Sequence, residues 1–280
     1  DRHLARQAPT SNALEGRHVA MLFEKASLRT RSTFEIAVVE LGGNVVALQS
    51  DAALGKREPV ADVARNLERW VHGLVVRTFA QDKVAATAAA SSTMHVVNAL
   101  SDQEHPCQAL ADMLTLLEHW SSLEGRVLTF VGDGNNVATS LAHAAVMLGV
   151  SLHVASPPGY ELPAHVVTDA QRVARAGAEV RIFTDPFEAV RGASAIYTDV
   201  WTSMGQEREA SARRAVFEPY QVNARLMGAA GADCLFMHCL PAHRGHEVTD
   251  AVMDSAQSVV FDQSENRLHA QKALLVEMLK

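Results

Sequence analysis

The chain has 280 residues, 48% of them hydrophobic, enough apolar side chain for one large or two medium cores. Its 25 basic side chains stand against 32 acidic ones, a net charge of −7 with both signs scattered, so there is no basic arm or patch for nucleic acid. Three cysteines (Cys107, Cys234, Cys239), none in a CxxC pair, exclude a disulfide framework and a thiolate zinc site and suit a reducing compartment.

The first residues, Asp1-Arg2-His3-Leu4-Ala5-Arg6, lack the apolar core of a signal segment, and the absence of an initial Met leaves targeting open. Short β-branched or apolar runs at 17–23, 44–47, 74–77 and 95–97 then alternate with segments of helical period, the pattern of a parallel sheet. After 17–23 comes Ser27-Leu28-Arg29-Thr30-Arg31, opening a helix whose Phe34, Val38 and Leu41 share a face and which ends at Gly42-Gly43. Two guanidiniums, two hydroxyls and the free N–H groups of a helix start suit a phosphate or similar dianion, with a solvated basic cap as the alternative. Arg77 puts a charge at the end of an apolar strand. The Ala-rich 84–92 is a good helix former without a functional signature. In His105-Pro106-Cys107-Gln108, Pro106 suits a first helical turn, and the three-residue step puts His105 and Gln108 on one side, where both can hydrogen-bond a carbonyl or amide. The helix expected over 104–120 ends at the turn Ser121-Ser122-Leu123-Glu124-Gly125, which marks a domain boundary.

A second series of strands is expected at 126–131, 151–155, 179–183, 194–198, 235–238 and 258–261. The uncharged stretch 134–160 holds Asn135, Asn136, His143, His153 and Pro157-Pro158, so it reads as a buried helix and strand rather than a membrane span. Gly132-Asp133-Gly134-Asn135-Asn136 has the form of a strand-to-helix turn but fails as a dinucleotide fingerprint. Val137 stands where a third glycine belongs, and the next strand ends in Ser156-Pro157-Pro158 without an acidic residue for a ribose. Asn135 and Asn136 are thereby free to contact a polar ligand. Asp199-Val200-Trp201-Thr202-Ser203-Met204-Gly205 offers a carboxylate and a hydroxyl after a strand, a setting for an amine. His238-Cys239-Leu240-Pro241 brings a thiol to a strand end beside polar residues, whereas Cys107 and Cys234 read as buried and inert. Ser264-Glu265-Asn266-Arg267 is expected to open the last helix and supply a further guanidinium. The fold class is α/β, two doubly wound parallel-sheet domains.

Across 24–273 these sites together resemble the aspartate/ornithine carbamoyltransferase family. SLRTR and HPCQ are similar to the carbamoyl-phosphate motifs of the whole family, DVWTSMG and HCLPAHRG to the second-substrate motifs of its ornithine branch. The resemblance implies a carbamoyl-phosphate-binding domain over 1–120, an ornithine-binding domain over 121–262 and a C-terminal helix, 263–280, packing back on the first domain. It further implies a homotrimer or a multiple of trimers, a cytoplasmic location, carbamoyl phosphate and L-ornithine as ligands, no nucleic acid or membrane partner, no cofactor and no metal.

By motif position the resemblance implies that Ser27, Arg29, Thr30 and Arg31 surround the phosphate or support its loop, with Leu28 in the same binding set, and that Arg77 bridges phosphate and carbonyl. It gives His105, Gln108 and Arg267 to the carbamoyl group, with Cys239 and Leu240 completing that set. Asn136, Asp199, Ser203 and Met204 would position ornithine, and Arg77, His105, Asp199 and Cys239 would be the catalytic residues. The chain departs from the ornithine branch in two places. Leu28 replaces a Thr, which keeps the backbone N–H and predicts weaker binding without loss of activity. Ala53 replaces a Gln or His that reaches a neighbouring subunit, a contact left absent or supplied by Lys56 or Arg57. The chain also starts closer to its first strand than family members do, so an N-terminal helix is expected to be missing or shortened. Competing readings are a carbamoyltransferase for putrescine or an N-acylated ornithine, and a non-catalytic anion- or amine-binding homologue.

Overall fold

The computed structural model describes residues 11–25, 27–49, 54–202 and 207–280; Ala53, Ser203 and Met204 lie outside the described residues. The chain divides into two compact units, one made of Asp1–Ala111 with Glu265–Lys280, the other of Asp112–Ser264.

In the first unit, β1 (His18–Phe23), β2 (Asn44–Ala47), β3 (Gly73–Arg77) and β4 (His95–Leu100) form a parallel sheet in the order β2-β1-β3-β4. Its helices are α1 (Leu28–Glu40), α2 (Val60–Leu67), α3 (Gln81–Ala90) and the first turns of α4 (Pro106–Trp120). The strands read as unbroken apolar runs because both sheet faces are covered. Val19, Met21, Val75, Val97 and Ala99 pack with Phe34, Ala37 and Val38 of α1. The alternate residues Ala20, Leu22, Leu74 and Val76 pack with Leu67 of α2 and Val84 of α3. The last helix, α11 (Val260–Leu279), closes the first of these cores with Leu268, Leu275 and Leu279. Gly73 admits that close approach, since a Cβ there would lie 3.2 Å from Leu279 Cδ1.

The second unit carries β5 (Val127–Val131), β6 (Ser151–Ala155), β7 (Val180–Phe183), β8 (Ala195–Thr198) and β9 (Leu235–His238) in a parallel sheet ordered β7-β6-β5-β8-β9. Between them run α5 (Asn136–Met147), α6 (Ala164–Val173), the short α7 (Pro186–Ala189), α8 (Ala210–Phe217), α9 (Ala224–Ala230) and α10 (Asp250–Met253). One core joins Val131, Ala155, Ile196 and Phe236 to Leu226, Met227, Val252 and Val260. Among the described residues no helix is long and apolar enough to cross a membrane.

Both sheets are doubly wound. Strand order reverses between β1 and β3 in one and between β5 and β8 in the other, and ligands of such sheets bind at those carboxyl ends.

One expected strand is absent: 258–261 contributes only an isolated parallel bridge from Ser258 to Phe236. Val259 and Val260 are buried whereas Phe261 is exposed, and the Gln263 N–H donates to the Val259 carbonyl, so this apolar run enters α11 rather than extending the sheet. Ser264–Arg267 therefore sit in the second turn of the helix and do not open it.

Gly134 is the tightest glycine among the described residues, because a Cβ there would lie 2.4 Å from Leu162 N and 2.5 Å from Glu161 C, both backbone atoms. Gly134→Ala is expected to cost about 1–3 kcal/mol in urea unfolding. Gly228→Ala, in α9 with nothing within 4 Å of the new carbon, should be neutral or slightly stabilising.

Candidate active site

In the first unit, β1 and β3 are riveted at their carboxyl ends. The Glu24 N–H donates to the Arg77 carbonyl (2.8 Å). The buried Glu24 carboxylate accepts from Thr78 Oγ1 (2.5 Å) and Lys83 Nζ (3.0 Å). This fixes where Arg77, buried at the end of β3, leaves the sheet.

α1 begins beside that point. Ser27 holds the N-cap position with extended backbone, but its hydroxyl makes no cap hydrogen bond, and the first turn has no acidic residue to satisfy its N–H groups. Thr30 is buried within the first turn, half-buried Arg29 precedes it, and Leu28 is exposed. Arg31 turns outward to Glu35 at 2.8 Å, an exposed i,i+4 pair worth little.

Arg267 joins three elements distant in sequence. It projects from α11 and is 3% exposed. Its Nη1 donates to Gln108 Oε1 (2.9 Å) and its Nη2 to Thr30 Oγ1 (2.5 Å). With Thr30 Oγ1 accepting, the hydroxyl proton is left to donate; with Gln108 Oε1 accepting, the amide NH₂ turns the other way. His105, just before Pro106, accepts the Gln108 N–H at 3.0 Å on its backbone carbonyl. Burial, with Arg267 and Arg77 nearby, drives its imidazole pKa well below normal, so the ring is neutral and one ring nitrogen can donate without carrying charge. Lys25 is also pushed down, by burial and then by Arg77. Crowded cations that depress one another's proton affinity mark a site that an anion would relieve.

The second unit builds an acidic counterpart at its own β5/β8 switch point. Asn135 caps α5, its Oδ1 accepting from the N–H groups of Val137 (2.9 Å) and Ala138 (3.2 Å), while its Nδ2 donates to Asp199 Oδ2 (2.8 Å). Asp199 Oδ1 accepts from the Val200 N–H (2.8 Å) and from the Cys239 thiol (3.0 Å). Asn135, expected to stand free for a ligand, instead commits its amide oxygen to the start of α5 and one N–H to Asp199. Asn136, the half-buried first residue of α5, stands beside it.

Leu240 follows at φ 57°, held by its N–H donating to His238 Nδ1 (2.9 Å). Since Nδ1 accepts, Nε2 carries the proton and donates to Glu247 (3.2 Å). Burial pushes the thiols of Cys107 and Cys234 up to about 12, consistent with inert packing.

Residues 2–118 match the family model for the carbamoyl-P binding domain of aspartate/ornithine carbamoyltransferase, and residues 124–278 match its Asp/Orn binding domain. The chain belongs to the aspartate/ornithine carbamoyltransferase family. It is 51% identical to the ornithine carbamoyltransferase of Parafrankia sp., over 97% of this chain and 86% of that one. It is 50% identical to the anabolic ornithine carbamoyltransferase of Pseudomonas aeruginosa, over 94% and 84%. The solved structure of ornithine carbamoyltransferase from Pyrococcus furiosus matches with a TM-score of 0.93 at 48% identity, covering 98% of this chain and 87% of that one.

For this carbamoyltransferase-family chain, the residues singled out in the sequence fall into two sets. The first unit brings together Thr30, Gln108 and Arg267, with His105 and Arg77 within electrostatic reach. The second brings together Asp199 and Cys239 and also carries Leu240. His238 and Glu247 had no assigned role, because a buried His–Glu pair is identified by its partners, not by spacing.

Arg213 was likewise unassigned. It donates from Nε to the Trp201 carbonyl (2.5 Å), pairs with Asp133 and lies over the Tyr160 and Phe217 rings at 4.7 and 5.1 Å. It thereby pins the start of the loop that follows Asp199. Asp133 is nonetheless pushed up, burial outweighing the attraction of Arg213.

The depressed imidazole of His105 makes stability pH-dependent with a definite sign. The unfolded ring takes its proton near the ordinary value of 6.5 and the folded ring only at lower pH, so acidification below 6.5 favours unfolding. His105→Gln is expected to show a smaller fall in Tm than the parent between about pH 7.5 and pH 5, measured by thermal melts across that range.

Proposed function

We propose that this chain transfers the carbamoyl group of carbamoyl phosphate to the δ-amine of L-ornithine, giving L-citrulline and phosphate. The observation that carries the reading is the Asp199–Cys239 pair at 3.0 Å. It is a carboxylate oriented by Asn135 beside a thiol at a strand end, an arrangement that accepts from the N–H groups of an amine and repels a second carboxylate.

The first unit binds carbamoyl phosphate. The N–H groups of the first turn of α1, from Ser27 and Leu28 onward, with Arg29 and Arg77, take the phosphate. Thr30, His105 and Gln108 hold the carbamoyl group, and Arg267 fixes Thr30 and Gln108. The second unit binds ornithine through Asn136, Asp199, Ser203 and Met204. Cys239 and the Leu240 carbonyl direct the amine and complete the carbamoyl set.

In the reaction the neutral amine attacks the carbamoyl carbon. Negative charge grows on the carbonyl oxygen, where Thr30, neutral His105 and Arg77 donate. The tetrahedral intermediate then collapses, its C–O bond to phosphate breaking, and the proton on the attacking nitrogen passes to the departing phosphate. Preorganised donors at the developing oxyanion supply the largest part of such catalysis, and Asp199 holds the amine lone pair on line. We read the assembly as a homotrimer or a multiple of trimers and the compartment as the cytoplasm, both carried by the family resemblance.

Citrulline formation measured with ornithine, putrescine, N-acetylornithine and aspartate in parallel should show clear preference for ornithine; turnover only with another amine would overturn the pocket assignment. Thr30→Val should lower kcat about 100-fold, as expected for one lost oxyanion donor, with little change in the KM for ornithine. Cys239→Ala should raise the KM for ornithine by a larger factor than that for carbamoyl phosphate, measured by varying each substrate at saturating levels of the other.

A further inference from the structure

Beyond β9 the chain makes a tight return whose backbone is unusually well anchored. Gly245, at φ 82°, donates its N–H to the Val248 carbonyl (2.8 Å), and the His246 N–H donates to the His243 carbonyl (2.8 Å). Gln221 Nε2 donates to the carbonyls of Gly245 (3.2 Å) and His246 (2.8 Å). The Val222 N–H donates to the Glu247 carbonyl (2.8 Å). Arg244 is turned away from this return by two hydrogen bonds to Asp254 (2.7 and 2.8 Å) and one to Asp250 (2.8 Å), which neutralise it.

On that frame His243, His246 and Glu247 each offer one ligand atom, all within 4.8 Å of one another. Glu247 is fully buried. Its Oε1 accepts from His238 Nε2 (3.2 Å) and the His243 N–H (2.5 Å), whereas its Oε2 has no hydrogen-bond partner among the described residues. A buried carboxylate oxygen left bare costs stability unless something cationic or donating satisfies it. Two imidazoles converge on that group, and His243 is exposed, so an ion has a path of entry.

We propose that His243, His246 and Glu247 form a binding site for one divalent transition-metal ion of the Zn²⁺ or Co²⁺ class. Two imidazoles and one carboxylate are a three-ligand set with a further position open to solvent. The His238 Nε2–H on Oε1 is the outer hydrogen bond that orients a ligating carboxylate. The ion takes no part in carbamoyl transfer. It cross-links the return after β9, and through Glu247 and His238 it stiffens the backbone at Leu240, next to Cys239. The site uses none of the residues assigned to the reaction, so it stands or falls separately from that reading.

A neighbouring cluster, Asp199, His238 and Cys239, is also within ligand distance and provides the competing outcome. The experiment titrates the full chain, stripped of metal, with Co²⁺ and follows the visible d–d bands, the near-ultraviolet thiolate charge-transfer band and the Tm. The expected result is one Co²⁺ per chain without a thiolate band, with Tm rising as Co²⁺ is added. His243→Gln and His246→Gln should each weaken binding at least about tenfold, and Cys239→Ser should leave it unchanged. Both His variants should melt as the parent does without metal. No uptake at millimolar Co²⁺ would overturn the proposal. So would a thiolate band with binding that survives both His variants and is lost in Cys239→Ser.

Discussion

Burying the guanidinium of Arg267 is the constraint on which the carbamoyl-phosphate half depends. A charge that is 3% exposed costs several kcal/mol to desolvate unless hydrogen bonds meet it, and here Thr30 and Gln108 do so. Those two partners belong to α1 and α4, so the cation is satisfied only when both helix starts are correctly placed. The apolar residues of α11 hold it there: Leu268, Leu275 and Leu279 are buried in the core that includes Phe34 and Val38, each contributing roughly 1.5–3 kcal/mol of burial. The last helix is thus an integral layer of the first unit, and it carries the residue that orients the Thr30 and Gln108 side chains.

The two units solve opposite electrostatic problems with the same topology. Each places its polar residues where strand order reverses, beyond β1 and β3 in one and beyond β5 and β8 in the other. The first collects cations there, Arg77 and Arg267 among them, and answers them with a neutral imidazole at His105. The second collects a carboxylate, Asp199, and satisfies it with an asparagine amide, a backbone N–H and a thiol. A dianionic phosphoryl donor suits the first arrangement and an amine the second.

Most of the alternating pattern was legible in the chain, because strands covered by helices on both faces must be continuously apolar. The run at 258–261 shows where that reading stops. Val259, Val260 and Phe261 have the composition of a strand, yet only the packing of the first two against the second unit, with Phe261 outward, makes the run a helix entry. Asn135 is a comparable case. Adjacent to Asn136 and following a glycine turn, it reads as a ligand contact. In the fold its oxygen is committed to the start of α5 and its nitrogen to Asp199.

The sequence by itself determined the fold class, the strand-end positions of Arg77, Asp199 and Cys239, and through SLRTR, HPCQ, DVWTSMG and HCLPAHRG the family. These are local properties, since an apolar period or a short motif needs no distant partner to be recognised. Only the tertiary structure decided which polar groups spend their hydrogen bonds on one another. Arg267 lies 237 residues from Thr30, and Asn135 lies 64 from Asp199. No spacing rule encodes such pairs, because hydrogen bonding acts over about 3 Å in space and is indifferent to the length of chain between.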